Sequence, residues 1–110
     1  MCIRDRSIVA AIQVASGREP YVVGKPSTYI AQALKEEKKI NPSRTLFIGD
    51  RCNTDIRMGN LCSYTTLLVL SGVHTIADVE RYESSPKAED QQSVPEYYTD
   101  SIYDLCMNKK

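Results

Sequence analysis

The stretch T-L-F-I-G-D-R-C-N-T-D-I, residues 45–56, decides the fold. Thr45 to Gly49 is a continuous rather than alternating apolar run, the pattern of a strand covered on both faces, and it predicts a central strand. Asp50 follows just beyond its C-terminal end, and Thr54 or Asn53 is placed to cap a helix reaching roughly to Leu61. Thr65 to Leu70 then repeats the apolar run. Strand, helix and strand at these lengths make a βαβ unit, which puts chemistry-bearing loops at the C-terminal ends of parallel strands. The fold class is therefore α/β, with a Rossmann-like parallel sheet and flanking helices.

Upstream, Ile8, Ala11, Ile12 and Ala15 recur at helical spacing and Gly17 stands where a left-handed cap wants glycine, so the reading is a helix over about 8 to 16. Tyr21, Val22 and Val23 favour β structure and lead into Gly24-Lys25-Pro26. Ser27 can cap a helix from about 28 to 39, with an apolar stripe of Ile30, Ala33 and Leu34 and a solvated face from Lys35 to Lys39. Asn41-Pro42-Ser43 stops it. Downstream, Thr75 to Tyr82 reads as a short helix, Ser84 to Pro95 as a polar connection, and Tyr97 to Leu105 as a last strand and helical turn before a frayed basic end. The tyrosines at 97, 98 and 103 read as packing for that strand.

Composition bounds the function. Fourteen basic and fourteen acidic residues in 110 leave no net field, which argues against nucleic acid or an anionic membrane as a partner recruited by charge. Four cysteines (Cys2, Cys52, Cys62, Cys106) without C-x-x-C spacing fit a reduced compartment, and the absence of an 18-residue apolar run fits a soluble, cytoplasmic chain. The expected partner is a small molecule.

Three residues could carry chemistry. A carboxylate directly after a buried strand, with a glycine before it, is a common way to hold a divalent cation against a phosphate, which makes Asp50 a candidate Mg²⁺ ligand. Asp55 can reach back to the same loop, where it could accept hydrogen bonds from loop amides. From spacing alone the pair reads equally well as one loop acid and one helix-start acid favoured by the dipole. Lys25, between Gly24 and Pro26, suits a fixed ammonium that neutralises a phosphate oxygen, against the plainer reading of a surface lysine in a turn. Arg51 reads as solvated, His74 as loop surface, and Cys52 as a partly buried inert thiol.

V-V-G-K-P-S at 22–27 and L-F-I-G-D-R-C-N-T-D-I at 46–56 resemble the third and fourth motifs of haloacid dehalogenase-like phosphatases, and T-T-L-L-V-L-S-G-V at 65–73 resembles the strand that follows them. Within that superfamily the resemblance is to the phosphoglycolate phosphatase and 4-nitrophenylphosphatase branch, over about residues 8 to 105. It implies a Mg²⁺-dependent phosphomonoester hydrolase acting on a small phosphorylated substrate. Lys25 would bind the phosphoryl group and steady the nucleophile, Asp50 would hold Mg²⁺, and Asp55 would be the supporting acid. The family's Asp-x-Asp nucleophile motif has no match, since no two aspartates here are separated by one residue.

The implied organisation is accordingly the C-terminal half of the core at 21–110 and a cap remnant, its last helix returning to the core, at 8–20. The rest of the cap is missing, and residues 1–7 resemble a translated sequencing-adaptor leader. Homodimers through the cap are common in the family and are expected of a full-length parent. The alternative is an inactive truncated product that retains only metal and phosphate binding. A receiver-type domain is disfavoured because Lys25 precedes Asp50, and a dinucleotide-binding unit because no G-x-G-x-x-G occurs.

Overall fold

The computed structural model describes residues 3–107, with side chains from residue 6 onward. The first residues of the expected leader, Cys2, and the basic end at 108–110 lie outside the described residues. Three parallel strands, β1 (Leu46–Gly49), β2 (Thr65–Val69) and β3 (Tyr97–Thr99), form one sheet in the order β1-β2-β3. Gly49 lies opposite Leu68, and Val69 opposite Thr99, so the loops that leave β1 and β2 emerge side by side. The α/β class and the parallel βαβ unit read from residues 45–70 are both present.

Helix α1 covers Ile3–Ser16 and ends at Gly17 in the left-handed conformation, as the cap glycine predicts, although the helix starts five residues earlier than its apolar spacing indicated. Helix α2 (Tyr29–Lys38) is entered through Ser27, whose Oγ accepts the Tyr29 amide, and ends at Lys39, also left-handed. A single 3₁₀ turn at Pro42–Arg44 leads into β1. Between β1 and β2 the chain makes a π-helical turn, Cys52–Ile56, that runs into α3 (Arg57–Leu61). Helices α4 (Ile76–Glu83), α5 (Ala88–Gln91) and α6 (Ile102–Met107) complete the order.

The core is small. Cys52 and Ile56 from the π turn, Leu68 from β2 and Val79 from α4 are buried together, with Leu70 and Tyr82 at the margin. Each large apolar side chain fully removed from water here contributes about 1.5–3 kcal/mol. Gly59 lets α3 approach the sheet, since a Cβ there would meet Thr66 Cγ2 at 2.5 Å.

Several expectations need correction. β1 is an edge strand, not a central one: its exposure alternates, with Leu46 and Ile48 open to solvent, and the strand buried throughout its middle is β2. Tyr21 to Val23 is exposed and unpaired, because no described strand lies beside it and an isolated extended run gains nothing from its β propensity. In α2 the buried residue is Ala31, while Ile30 and Leu34 of the expected stripe are exposed. Tyr97 and Tyr98 are each 60% exposed rather than packed, since β3 is the other edge of the sheet, and Tyr103, on α6, is equally exposed.

The polar connection from Ser84 to Pro95 is also more ordered than its composition indicated. Beyond containing α5, it is tied to the sheet by Asn60, whose Nδ2 donates to the carbonyls of Gln92 (2.9 Å) and Val94 (2.7 Å). Asn60 Oδ1 accepts from the fully buried Thr66 hydroxyl (3.0 Å), and Thr66 Oγ1 accepts the Glu96 amide (3.1 Å). Thr66→Val keeps the shape but strips Asn60 and Glu96 of a partner, and is expected to cost about 1–3 kcal/mol, read as a lower urea midpoint.

At the start of α4, Asp78 Oδ2 accepts both the amide (2.9 Å) and the hydroxyl (3.1 Å) of Thr75. These bonds, the amide first, hold the Asp78 carboxyl below its ordinary value. A lowered native pKa stabilises the fold above the unfolded-state value, and that contribution is lost as pH falls through the native one. The stability gap between wild type and Asp78→Ala should therefore be full at neutral pH and close as the pH drops below about 4, in denaturation curves taken across that window.

Candidate active site

Parallel pairing of β1 and β2 brings the segment after Gly49 against the segment after Leu70, and the two are bonded at Asp50. Asp50 Oδ2 accepts the Val73 amide at 3.1 Å and the Asp50 carbonyl accepts the His74 amide at 3.0 Å. Gly72 is needed for this approach, because a Cβ at that position would overlap the Asp50 side chain. One carboxylate oxygen is thus fixed by a backbone donor. The other, Oδ1, has no hydrogen-bond partner among the described residues, so an oriented acceptor stands at a strand end.

Asp55 lies on the first turn after the loop and is 5% exposed. Its Oδ2 accepts the Arg51 amide at 3.2 Å and its Oδ1 pairs with Lys25 Nζ at 2.6 Å. Gly49 makes room, since a Cβ on it would run into the Asp55 side chain. The lysine arrives on a turn closed by the Ser27 amide donating to the Gly24 carbonyl (3.0 Å), in which the Lys25–Pro26 peptide is cis. Its side chain is half exposed, so the pair itself contributes modestly, within the roughly 0–1 kcal/mol of surface ion pairs. Removing the lysine is a different matter, because it leaves a buried carboxylate without its cation.

Gly24, Lys25, Arg51, Thr54 and Asp55 line a cavity of ≈ 350 Å³. With Lys25 paired to Asp55, the lining keeps one positive charge in excess, on Arg51, whose guanidinium has no partner among the described residues. The lining therefore favours an anion.

Of the three residues singled out from sequence, Lys25 and Asp55 are brought into direct contact. Asp50 is joined to them through the short loop but is not among the cavity-lining residues, its carboxylate being directed to the 72–74 segment. Arg51 is exposed, as expected, yet it lines the cavity. Asp55 accepts a loop amide, the bond its spacing allowed.

Cys52 is completely buried rather than partly so. Burial first, with the nearby negative charge of Asp78 second, pushes its thiol up to about 11, so it stays protonated and unreactive. The helix cap expected at Asn53 or Thr54 is not used. The residue flanking the turn is Arg51, and the wide π turn lets the amides of Asp55 (2.9 Å) and Ile56 (3.1 Å) both reach the Arg51 carbonyl.

His74 is the residue that sequence reasoning missed. Its Nδ1 accepts the Cys52 amide at 2.9 Å and its ring lies 6.0 Å from that of Tyr82. The signal was positional: His74 and Cys52 both lie within a few residues of the ends of neighbouring strands, but nothing in either segment alone connects them.

Among the described residues no three His, Cys, Asp or Glu side chains cluster as metal ligands. Asp50, with one oxygen anchored and one open, fits a hard cation that takes a single carboxylate here and the remainder of its shell elsewhere, as Mg²⁺ does. A zinc-type site of several protein ligands does not fit.

The chain matches the family model described as HAD-hydrolase-like over residues 22–105. It is 48% identical over 98 residues to the glycerol-3-phosphate phosphatase of Gallus gallus, an alignment covering 89% of this chain and 31% of that protein. Among solved structures it is similar to NagD from E. coli K-12, with a TM-score of 0.69 and 34% identity over 86% of this chain and 34% of that one. It is also similar to a glycerol phosphate phosphatase from Mycobacterium tuberculosis in complex with magnesium, with a TM-score of 0.68 and 29% identity over 90% of this chain and 27% of that one. The chain therefore spans about a third of the length of these relatives. The G-K-P turn at 24–26 and the G-D-R-C-N-T-D segment at 49–55 that build the cavity both lie inside the matched region, and the chain belongs to the haloacid dehalogenase-like hydrolase family.

Proposed function

We propose that this chain is the phosphate- and cation-side portion of the active site of a Mg²⁺-dependent phosphomonoester hydrolase. The observation that carries this is the Lys25–Asp55 pair at 2.6 Å, set in an anion-favouring cavity beside a strand-end carboxylate with one open oxygen. In this reading Lys25 binds a phosphoryl oxygen and steadies the nucleophile. Asp55 holds the Lys25 ammonium and the Arg51 amide in register, and Asp50 is the cation ligand. The cation would offset phosphate charge and orient the ester. The nucleophile would come from a longer polypeptide, because this sequence contains no Asp-x-Asp.

The substrate class is a small phosphate monoester of the phosphoglycolate or 4-nitrophenyl phosphate type. The names of the relatives add glycerol 3-phosphate as a candidate. Residues 8–20 are the returning end of a cap and residues 21–110 the C-terminal half of the core. No described helix is long and apolar enough to cross a membrane, which is compatible with a cytoplasmic enzyme, and a homodimer through the cap belongs to the same proposal.

A second reading, favoured by the missing Asp-x-Asp, is that the 110 residues act alone as a binding product without turnover. Incubation with 4-nitrophenyl phosphate and Mg²⁺ separates the two, since release of nitrophenol by the chain alone refutes the second. In the longer polypeptide, Lys25→Ala and Asp50→Asn are each expected to lower kcat/KM by roughly 10²–10³, the size of effect seen when one preorganised charge-stabilising group is lost. Unchanged kinetics in both variants would defeat the assignment. Gly49→Ala should behave like a weaker Lys25→Ala, raising KM as the Asp55 carboxylate is pushed off its two partners.

A further inference from the structure

We infer that His74 is a positioning residue for Asp50, acting through the Cys52 amide; the inference rests on the reading of Asp50 as a cation ligand. The Cys52 N–H opens the π turn, and the first amides of any helical segment need acceptors from outside it. A local side chain usually supplies one, but the flanking residue here is Arg51, which has no acceptor. The acceptor comes from 22 residues away instead, as His74 Nδ1 at 2.9 Å.

The same short segment bonds Asp50 twice, through the His74 amide to its carbonyl and the Val73 amide to its carboxylate. Three bonds thus join the 73–74 segment to Asp50 and Cys52, and the imidazole is the one side chain that this segment contributes to them. Its ring is in turn braced against Tyr82 on α4, whose first turn is fixed by the Thr75–Asp78 bonds. A neutral histidine accepts at one nitrogen only, so the bond requires the tautomer with its proton on Nε2. Without the ring, the Cys52 amide is left beside a buried side chain with no acceptor, and the loop can rotate the Asp50 carboxylate away from its open direction. Partners that orient a ligand in this way typically account for about 10–100-fold in metal affinity.

The substitution pattern separates positioning from bulk. Asparagine places its Oδ1 where Nδ1 stands, and glutamine places its amide oxygen one bond farther out, near Nε2. Mg²⁺ titrated into the 110-residue chain by calorimetry should bind about tenfold more weakly to His74→Ala and His74→Gln, with His74→Asn restored to near wild type. ¹⁵N NMR of the imidazole should show the Nε2–H tautomer, and the Asp50 side-chain carboxyl resonance should move in His74→Ala and return in His74→Asn. Wild-type affinity in His74→Ala, no recovery in His74→Asn, or an Nδ1–H tautomer would each overturn the inference. A wild-type chain that takes up no Mg²⁺ counts against the cation role of Asp50 only if the longer polypeptide also takes up none. The carboxyl resonance then decides His74 by itself, against the inference if His74→Ala leaves it unmoved and for it if His74→Asn restores it. Should His74→Ala fail to fold, the contrast between His74→Asn and His74→Gln decides in its place, for the inference if asparagine binds the more tightly and against it if the two are alike.

Discussion

A buried carboxylate must be compensated, and in this chain Asp55 makes that demand. At 5% exposure it cannot rely on water, and its two oxygens are met by one ammonium and one backbone amide. Much of the local architecture follows from this. The 24–27 turn is drawn to the end of β1 because Lys25 is the cation, and Arg51 is held at the mouth of the cavity because its amide is the other donor. Gly49 is required because Asp55 occupies the space its side chain would need. The wide π turn belongs to the same arrangement, since it carries Asp55 back toward Arg51 while leaving Ile56 and Cys52 directed into the core.

A second constraint sits on the other side of the loop. Asp50 is bonded by residues that follow β2, so the two strand-end segments form one unit whose shape depends on sheet register. This unit joins the core to the site directly. Cys52 contributes a buried side chain to the same cluster as Leu68 and Val79, and its amide is the donor that His74 receives. Packing energy and site geometry are therefore exchanged through a single residue, whose protonated and inaccessible thiol takes no part in chemistry itself.

The sequence was legible where local pattern and covalent neighbourhood suffice. The parallel βαβ unit followed from two apolar runs at the right separation, the α1 cap from Gly17, and the loop bond of Asp55 from its place five residues after Asp50. It was not legible where burial depends on what lies alongside. Thr45 to Gly49 has the composition of a covered strand, but coverage is a property of neighbours, and β1 has a described strand on one side only. The same reasoning covers Tyr21 to Val23, Ile30, Leu34 and the two tyrosines of β3. Each is open to solvent because too little of the described chain packs on it, Tyr21 meeting only the edge of Tyr29 on α2. His74 failed for a related reason, since its partner is adjacent only once Gly49 and Leu68 are paired.

That mismatch bears on how complete the site is. Among the described residues, more large apolar side chains are exposed than buried, whereas a self-sufficient domain of this size would bury most of them. The chemistry shows the same shortfall. Under the proposed function Asp50 offers one open oxygen to a cation that wants about six, and Lys25 already has a carboxylate partner that an incoming phosphate would have to share. The shortfall of ligands, and the part of the apolar shortfall carried by Leu46, Ile48 and Tyr21 to Val23, concern elements around β1 and the turn at Lys25. Under the proposed function one additional layer of protein against that edge would answer both at once, covering Leu46 and Ile48 while bringing carboxylates to the same cation and a nucleophile within reach of the phosphoryl group that Lys25 holds.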